Sequence, residues 1–201
     1  SDLYLHEQAI FFARHSLPYY QKYDAPSWHL ARMLSEIGTN YDMVKQLDSA
    51  DYYYTNAILH LSDTTLLIYR DIRTHQCYLE YEMGKKPESS IAKLSKLLAN
   101  SKSQNEYYSR LAIIGEIYYH EKQHDSALMY LKKVFEGNPR IDSKKQAAEW
   151  LIEICKVKGR EADIMEYANF LVPFANQEEN NSAIKSQLTE LYNGFRQGVS
   201  D

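Results

Sequence analysis

Residues 108–141 read YSRLAIIGEIYYHEKQHDSALMYLKKVFEGNPRI. Leu111, Ile114, Gly115 and Tyr118 fall on one stripe of a helix, and Ala127, Leu131 and Val134 fall on a second. Residues 122–124 interrupt the pattern, Asp125 is placed to cap the second helix, and Gly137 with Pro139 ends it. The stretch therefore predicts two helices and a stop, with His120 at the end of the first helix and His124 in the turn.

These residues resemble the tetratricopeptide repeat, a helix-turn-helix of about 34 residues. The resemblance implies a steric duty for each slot. Gly115 and Ala127 let helices approach closely, and Pro139 turns the chain into the next unit. Weaker copies flank the clear one. From Asp71, Cys77, Tyr78 and Tyr81 fit the first helix, Pro87 opens the second, and Ser90, Leu94 and Leu97 follow. From Lys145, Ala148, Leu151, Ile152 and Cys155 make one stripe, Gly159 the turn, and Ile164, Ala168 and Leu171 the other, with Pro173 after it; Ile164 in place of Ala should widen that crossing. The earliest copy is read as Leu30, Ala31, Leu34 and Gly38, then Ala50, Tyr54, Ala57 and Ser62, with seven extra residues that lengthened helices could absorb as about two turns.

The expected fold is an all-α, right-handed α-α superhelix of about four helix pairs in a single domain over 1–201. A leading helix over 3–17 stops near Pro18. The repeats cover about 24–62, 71–104, 108–141 and 145–176, and Ile184, Leu188, Leu191 and Phe195 mark a capping helix over about 180–197. Composition agrees, since seven Gly, five Pro and five Val in 201 residues leave few turns and few β-branched strand formers beside plentiful Leu, Ala, Glu, Lys and Gln.

Charge and length exclude other classes. A net charge of -4 with interspersed signs offers no basic stripe for a phosphate backbone, so a nucleic-acid partner is not expected. No apolar run approaches the roughly 20 residues that span a bilayer. Cys77 and Cys155, 78 positions apart, suit neither a disulfide framework nor a metal cluster and read as core residues. Ser1 with no signal stretch after it points to a processed chain or a piece of a longer one.

One enzymatic pattern competes with the repeat. His120, Glu121, Lys122, Gln123 and His124 fit H-E-x-x-H, in which two histidines one turn apart ligate zinc and the glutamate activates water. That chemistry needs one helix through His124, whereas the repeat puts a bend there. A third ligand is also lacking: no Gly-x-x-His follows His124, and Ser143 and Lys144 stand where glutamate spacings fall. Phosphate-cradling and nucleophile-elbow motifs are absent from the sequence. No catalytic residue, metal ligand or cofactor is assigned.

The resemblance places function in the concave groove, lined by positions two, five, six, nine, twelve and thirteen of each first helix. The candidates are Trp28, Arg32, His75, Leu79, Glu116, Tyr119, His120, Glu149, Trp150 and Glu153, with both tryptophans as anchors for a protein or peptide partner. His29, Ser35, Gln76 and Ala112 fall on the same positions. A carboxylate-binding clamp of the kind known in the family is not supported, because only Arg32 is cationic at its positions; Glu116, Glu149 and Glu153 favour a basic or neutral segment. The degenerate repeats also resemble envelope-anchored bacterial members of the family, which implies a sensing or assembly module outside the cytoplasm. The alternatives are a zinc metallohydrolase and a module that self-associates through its ends.

Overall fold

The computed structural model describes residues 2–22 and 26–175, and the described backbone forms helices joined by short turns, with no strand among them. The chain divides after Lys102 into two compact units, Ser1–Lys102 and Ser103–Asp201, so a boundary falls inside the stretch that the sequence reads as one domain.

In the first unit α1 (Asp2–Lys22) precedes two helix pairs, α2 (Ser27–Met43) with α3 (Leu47–Leu59) and α4 (Leu67–Glu82) with α5 (Pro87–Ala99). The second unit holds two more, α6 (Gln104–His120) with α7 (His124–Glu136) and α8 (Ile141–Val157) with α9 (Glu161–Ala175). Helices of 17 and 13 residues make up both α2–α3 and α6–α7. The seven-residue insertion expected in the first pair is therefore not there. Gly38 and Ala50 stand 12 apart, as Gly115 and Ala127 do, and the true counterpart of Gly115 is Gly38 rather than Ala31. Seven residues are close to two helical turns, so a register error of seven leaves the apolar stripe on the same face and is invisible to periodicity.

The two glycines share a steric duty. A Cβ on Gly38 would lie 2.9 Å from Cδ1 of Tyr54 and 3.3 Å from the carbonyl oxygen of Ala50, and one on Gly115 would lie 2.7 Å from Cγ of Leu131. Hydrogen is all that fits. The pairs that lack this Gly/Ala combination, α4–α5 with Tyr78 and Ser90 and α8–α9 with Ile152 and Ile164, approach each other less closely than α2–α3 and α6–α7 do.

All four pairs turn the same way. Lys45, Gly84, Lys122 and Gly159 adopt φ of 59°, 83°, 58° and 65°, the left-handed region. The amide after each donates to the carbonyl five residues back: Gln46 to Tyr41 at 2.9 Å, Lys85 to Glu80 at 3.0 Å, Gln123 to Tyr118 at 2.9 Å and Arg160 to Cys155 at 2.9 Å. This is the Schellman closure of a helix, in which one left-handed residue satisfies carbonyls that the helix end would leave orphaned.

Pro18 does not act as a stop. α1 runs through Pro18 to Lys22, and α9 contains Pro173. Only four residues of α1 follow Pro18, and the helix is held by burial of Ile10, by packing of Ala13 and Leu17, and by bonds from His6 to Asn40 at 2.8 Å and from Arg14 to the Tyr41 hydroxyl at 3.3 Å. Tertiary packing outweighs the lost hydrogen bond. The helices also begin earlier than the repeat bounds: α4, α6 and α8 each start four residues before the positions 71, 108 and 145 read from the sequence. The capping helix expected over 180–197 lies outside the described residues.

Candidate functional site

Bend geometry decides what the HEKQH segment can do. His120 ends α6, residues 121–123 turn with Lys122 left-handed, and His124 is the first residue of α7 rather than part of the turn. The single helix that the zinc pattern requires is interrupted between its two histidines. Among the described residues no group of three His, Cys, Asp or Glu side chains is arranged to hold a metal ion.

The bend gathers aromatic rings instead. The Tyr119 ring lies 4.6 Å from that of Trp150, 5.4 Å from His120 and 6.0 Å from His124, and His120 meets Trp150 edge-on at 5.3 Å. α6 supplies Tyr119 and His120, α7 supplies His124, and α8 supplies Trp150, so the cluster exists only because two repeats stack. Such offset and edge-to-face pairs each contribute about 0.5–1.5 kcal/mol beyond area burial. Tyr119 and Trp150 remain partly exposed. The indole nitrogen of Trp150 is buried without a hydrogen-bond partner, so the exposed part of its side chain is carbon. Carboxylates border the rings: Glu116 stands 3.9 Å from Nε2 of His120, Glu149 is exposed beside Trp150, and Glu153 accepts from Nζ of Lys156 at 2.8 Å.

Six of the candidates thus belong to the second unit and five of them, Glu116, Tyr119, His120, Glu149 and Trp150, are placed at or beside this cluster, with Glu153 one turn along α8 from Glu149 and Trp150. The four in the first unit form no comparable cluster. Trp28 is exposed in the first turn of α2, its ring centroid 3.5 Å from that of His29. Moving the register by seven takes Trp28 off the positions that the resemblance assigns to the groove and leaves Arg32 on the second; Arg32 pairs with Glu36 at 3.0 Å. His75 is exposed and stacks on Tyr54 at 5.8 Å.

Leu79 is a correction, because it is fully buried in the apolar core of the first unit with Ile72 and Tyr54 and has no surface to offer a partner. Ala112 is buried too. An apolar side chain at a groove-facing slot is drawn into the seam between neighbouring helices. The residue that the sequence reading left out of the site is His124. The spacing sets it in the turn, whereas it is the first residue of α7 and its ring lies 6.0 Å from that of Tyr119.

No protein-family model matches the chain, and no curated protein matches it in sequence. Solved structures do match in fold. BtubC (BKLC) from P. vanneervenii superposes with a TM-score of 0.65 at 12% identity, covering 93% of this chain and 80% of that one. PilW, a widely conserved type IV pilus biogenesis factor, superposes with a TM-score of 0.66 at 18% identity, covering 94% and 81%. The chain therefore has an all-α helical-repeat fold of the solenoid kind. Among the described residues no helix is long and apolar enough to cross a membrane.

Proposed function

We propose that this chain is a tetratricopeptide-like scaffold that binds a protein or peptide partner, without catalysis, through the face carrying Tyr119 and Trp150. The observation that carries the reading is the partly exposed ring cluster on α6 and α8, built from two stacked repeats and bordered by glutamates. Large aromatics on a rigid helical face are the anchors that dominate binding energy at interfaces, commonly about 2 kcal/mol or more each. The likeness in fold to a type IV pilus biogenesis factor supports an assembly role, and with it a place at the bacterial cell envelope. Self-association is the competing use of the same architecture.

Affinity capture from an extract of the producing organism tests the face, with wild-type chain beside Tyr119→Ala/Trp150→Ala and with helicity checked by circular dichroism. We expect a partner held by the wild type and lost from the variant. Equal recovery by both would remove this face from the account.

A further inference from the structure

We propose that one end of the first unit inserts its side-chain tips into the surface of a lipid bilayer. This surface shares no residue with the ring cluster of α6 and α8. Its basis is topology. α1 to α4 run up and down in turn, so α1 ends, α2 begins, α3 ends and α4 begins at the same end of the unit. That end carries Tyr19 and Tyr20 on the last turn of α1, Trp28 in the first turn of α2, Leu59 closing α3, and Leu66 and Leu67 opening α4. The six range from 37% exposed at Leu66 to 77% at Leu59. Leu17, Leu30, Ile58 and Ile68, one or two residues away from these tips in sequence, belong to the core of the unit or pack against it. The tips therefore project from anchored backbone.

The opposite end of the same unit is built from charge. At its bends Lys45 pairs with Asp42 and Glu82, and Lys85 and Lys93 pair with Glu80; the exposed large apolar residues there are Met43 and Met83. The unit is thus amphipathic along its helix axes, with ion pairs at one end and apolar tips at the other.

Charge at the apolar end is balanced. Over residues 19–36 and 59–73 the cations are Lys22, Arg32, Arg70 and Arg73, and the carboxylates are Asp24, Glu36, Asp63 and Asp71, four of each sign. Arg32 pairs with Glu36 at 3.0 Å, Asp63 accepts from the amide and the hydroxyl of Thr65 at 2.8 and 2.7 Å, Arg73 donates to Gln76 at 2.9 Å, and Lys22, Arg70 and Asp71 also hold interactions within the chain. This end selects no partner by sign of charge.

Area then decides between a second copy and a bilayer. A stable protein interface uses roughly 20–30 residues a side with matched shapes, and six tips spread over four helix ends fall well short of that. A bilayer asks for no matched surface, because each tip enters the headgroup and acyl boundary on its own. Tyr and Trp suit the headgroup level, with an apolar ring and a polar edge, and Leu the depth just beneath it.

The Trp150→Phe chain, in which Trp28 is the sole tryptophan, reads insertion directly. With phosphatidylcholine vesicles, Trp28 emission is expected to shift to the blue saturably, half-way at lipid concentrations on the order of 0.1 mM, comparable to anchoring by one myristoyl chain. Lipid brominated on its acyl chains should quench it, and added salt should leave the binding unchanged. Leu59→Ser/Leu67→Ser should weaken sedimentation with the vesicles roughly tenfold, whereas Val157→Ser, equally exposed in the other unit, should not. Absence of both blue shift and quenching at roughly tenfold that lipid concentration overturns the proposal, and quenching is read on unaltered tips, so the result stands even if the double variant misfolds. Binding that requires anionic lipid and disappears in salt, equal loss in Val157→Ser, or a lipid-free blue shift that grows with protein concentration as the chain dimerises, overturns it too, the last in favour of a second copy.

Discussion

Tyr54 shows how much one side chain carries in the first unit. It is fully buried, fills the space that Gly38 leaves, stacks on His75 and bonds through its hydroxyl to Thr39 at 3.1 Å. Burial pushes its pKa from 10.0 up to about 12. A folded-state pKa raised above the unfolded value gives stability that is fully present below about 10 and is lost as pH rises through about 12. Alkaline titration followed by circular dichroism should therefore show unfolding of this unit steepening across that window, and Tyr54→Phe should flatten the steepening while losing about 1 kcal/mol at neutral pH for the missing hydrogen bond. A pH profile identical in both chains would contradict this. Lys122 illustrates the opposite case, a residue kept in a conformation that it disfavours. A left-handed non-glycine costs roughly 1–2 kcal/mol, so Lys122→Gly should raise stability by about 1 kcal/mol, and Gly159→Ala should lower it by a similar amount in urea denaturation.

Helix pairs are the level at which the sequence was most and least readable. Two helices, a bend and a second stripe were evident for residues 108–141 because Gly115, Ala127 and Pro139 each answer a distinct steric demand. The first pair misled for the reason that makes helices periodic: Leu30–Ala31 and Ile37–Gly38 are both large-small pairs seven apart on the same face, and only the contact of Gly38 with Tyr54 tells them apart. That shift of seven is what sets Trp28 on a groove position in the sequence. Leu79 is set on one because position in a repeat says which way a slot faces in general, whereas an apolar side chain next to an open seam is buried in it. Pro18 reads as a stop on local chemistry alone, whereas the packing of Ala13 and Leu17 carries α1 past it. Gly115→Val tests the pairing directly. Its side chain would overlap Leu131, and overpacking of this kind costs about 1–3 kcal/mol; the variant should melt earlier than wild type, and Leu131→Ala in the same chain should recover part of the loss. A Gly115→Val chain as stable as wild type would mean that α6 and α7 are not this close.

For the whole molecule, one local decision separates a binding scaffold from a hydrolase. If the chain bends at residues 121–123, the histidines end one helix and begin the next, the rings of Tyr119 and Trp150 meet, and the repeat continues into α8. If it does not, α6 and α7 cannot pair and the ring cluster does not form. Backbone chemical shifts of isotopically labelled chain over residues 118–128 test this most directly. The account predicts helical shifts up to His120, a positive φ at Lys122 and helical shifts again from His124; unbroken helical shifts from Tyr118 to Leu128, with both imidazoles shifting on addition of zinc, would contradict it.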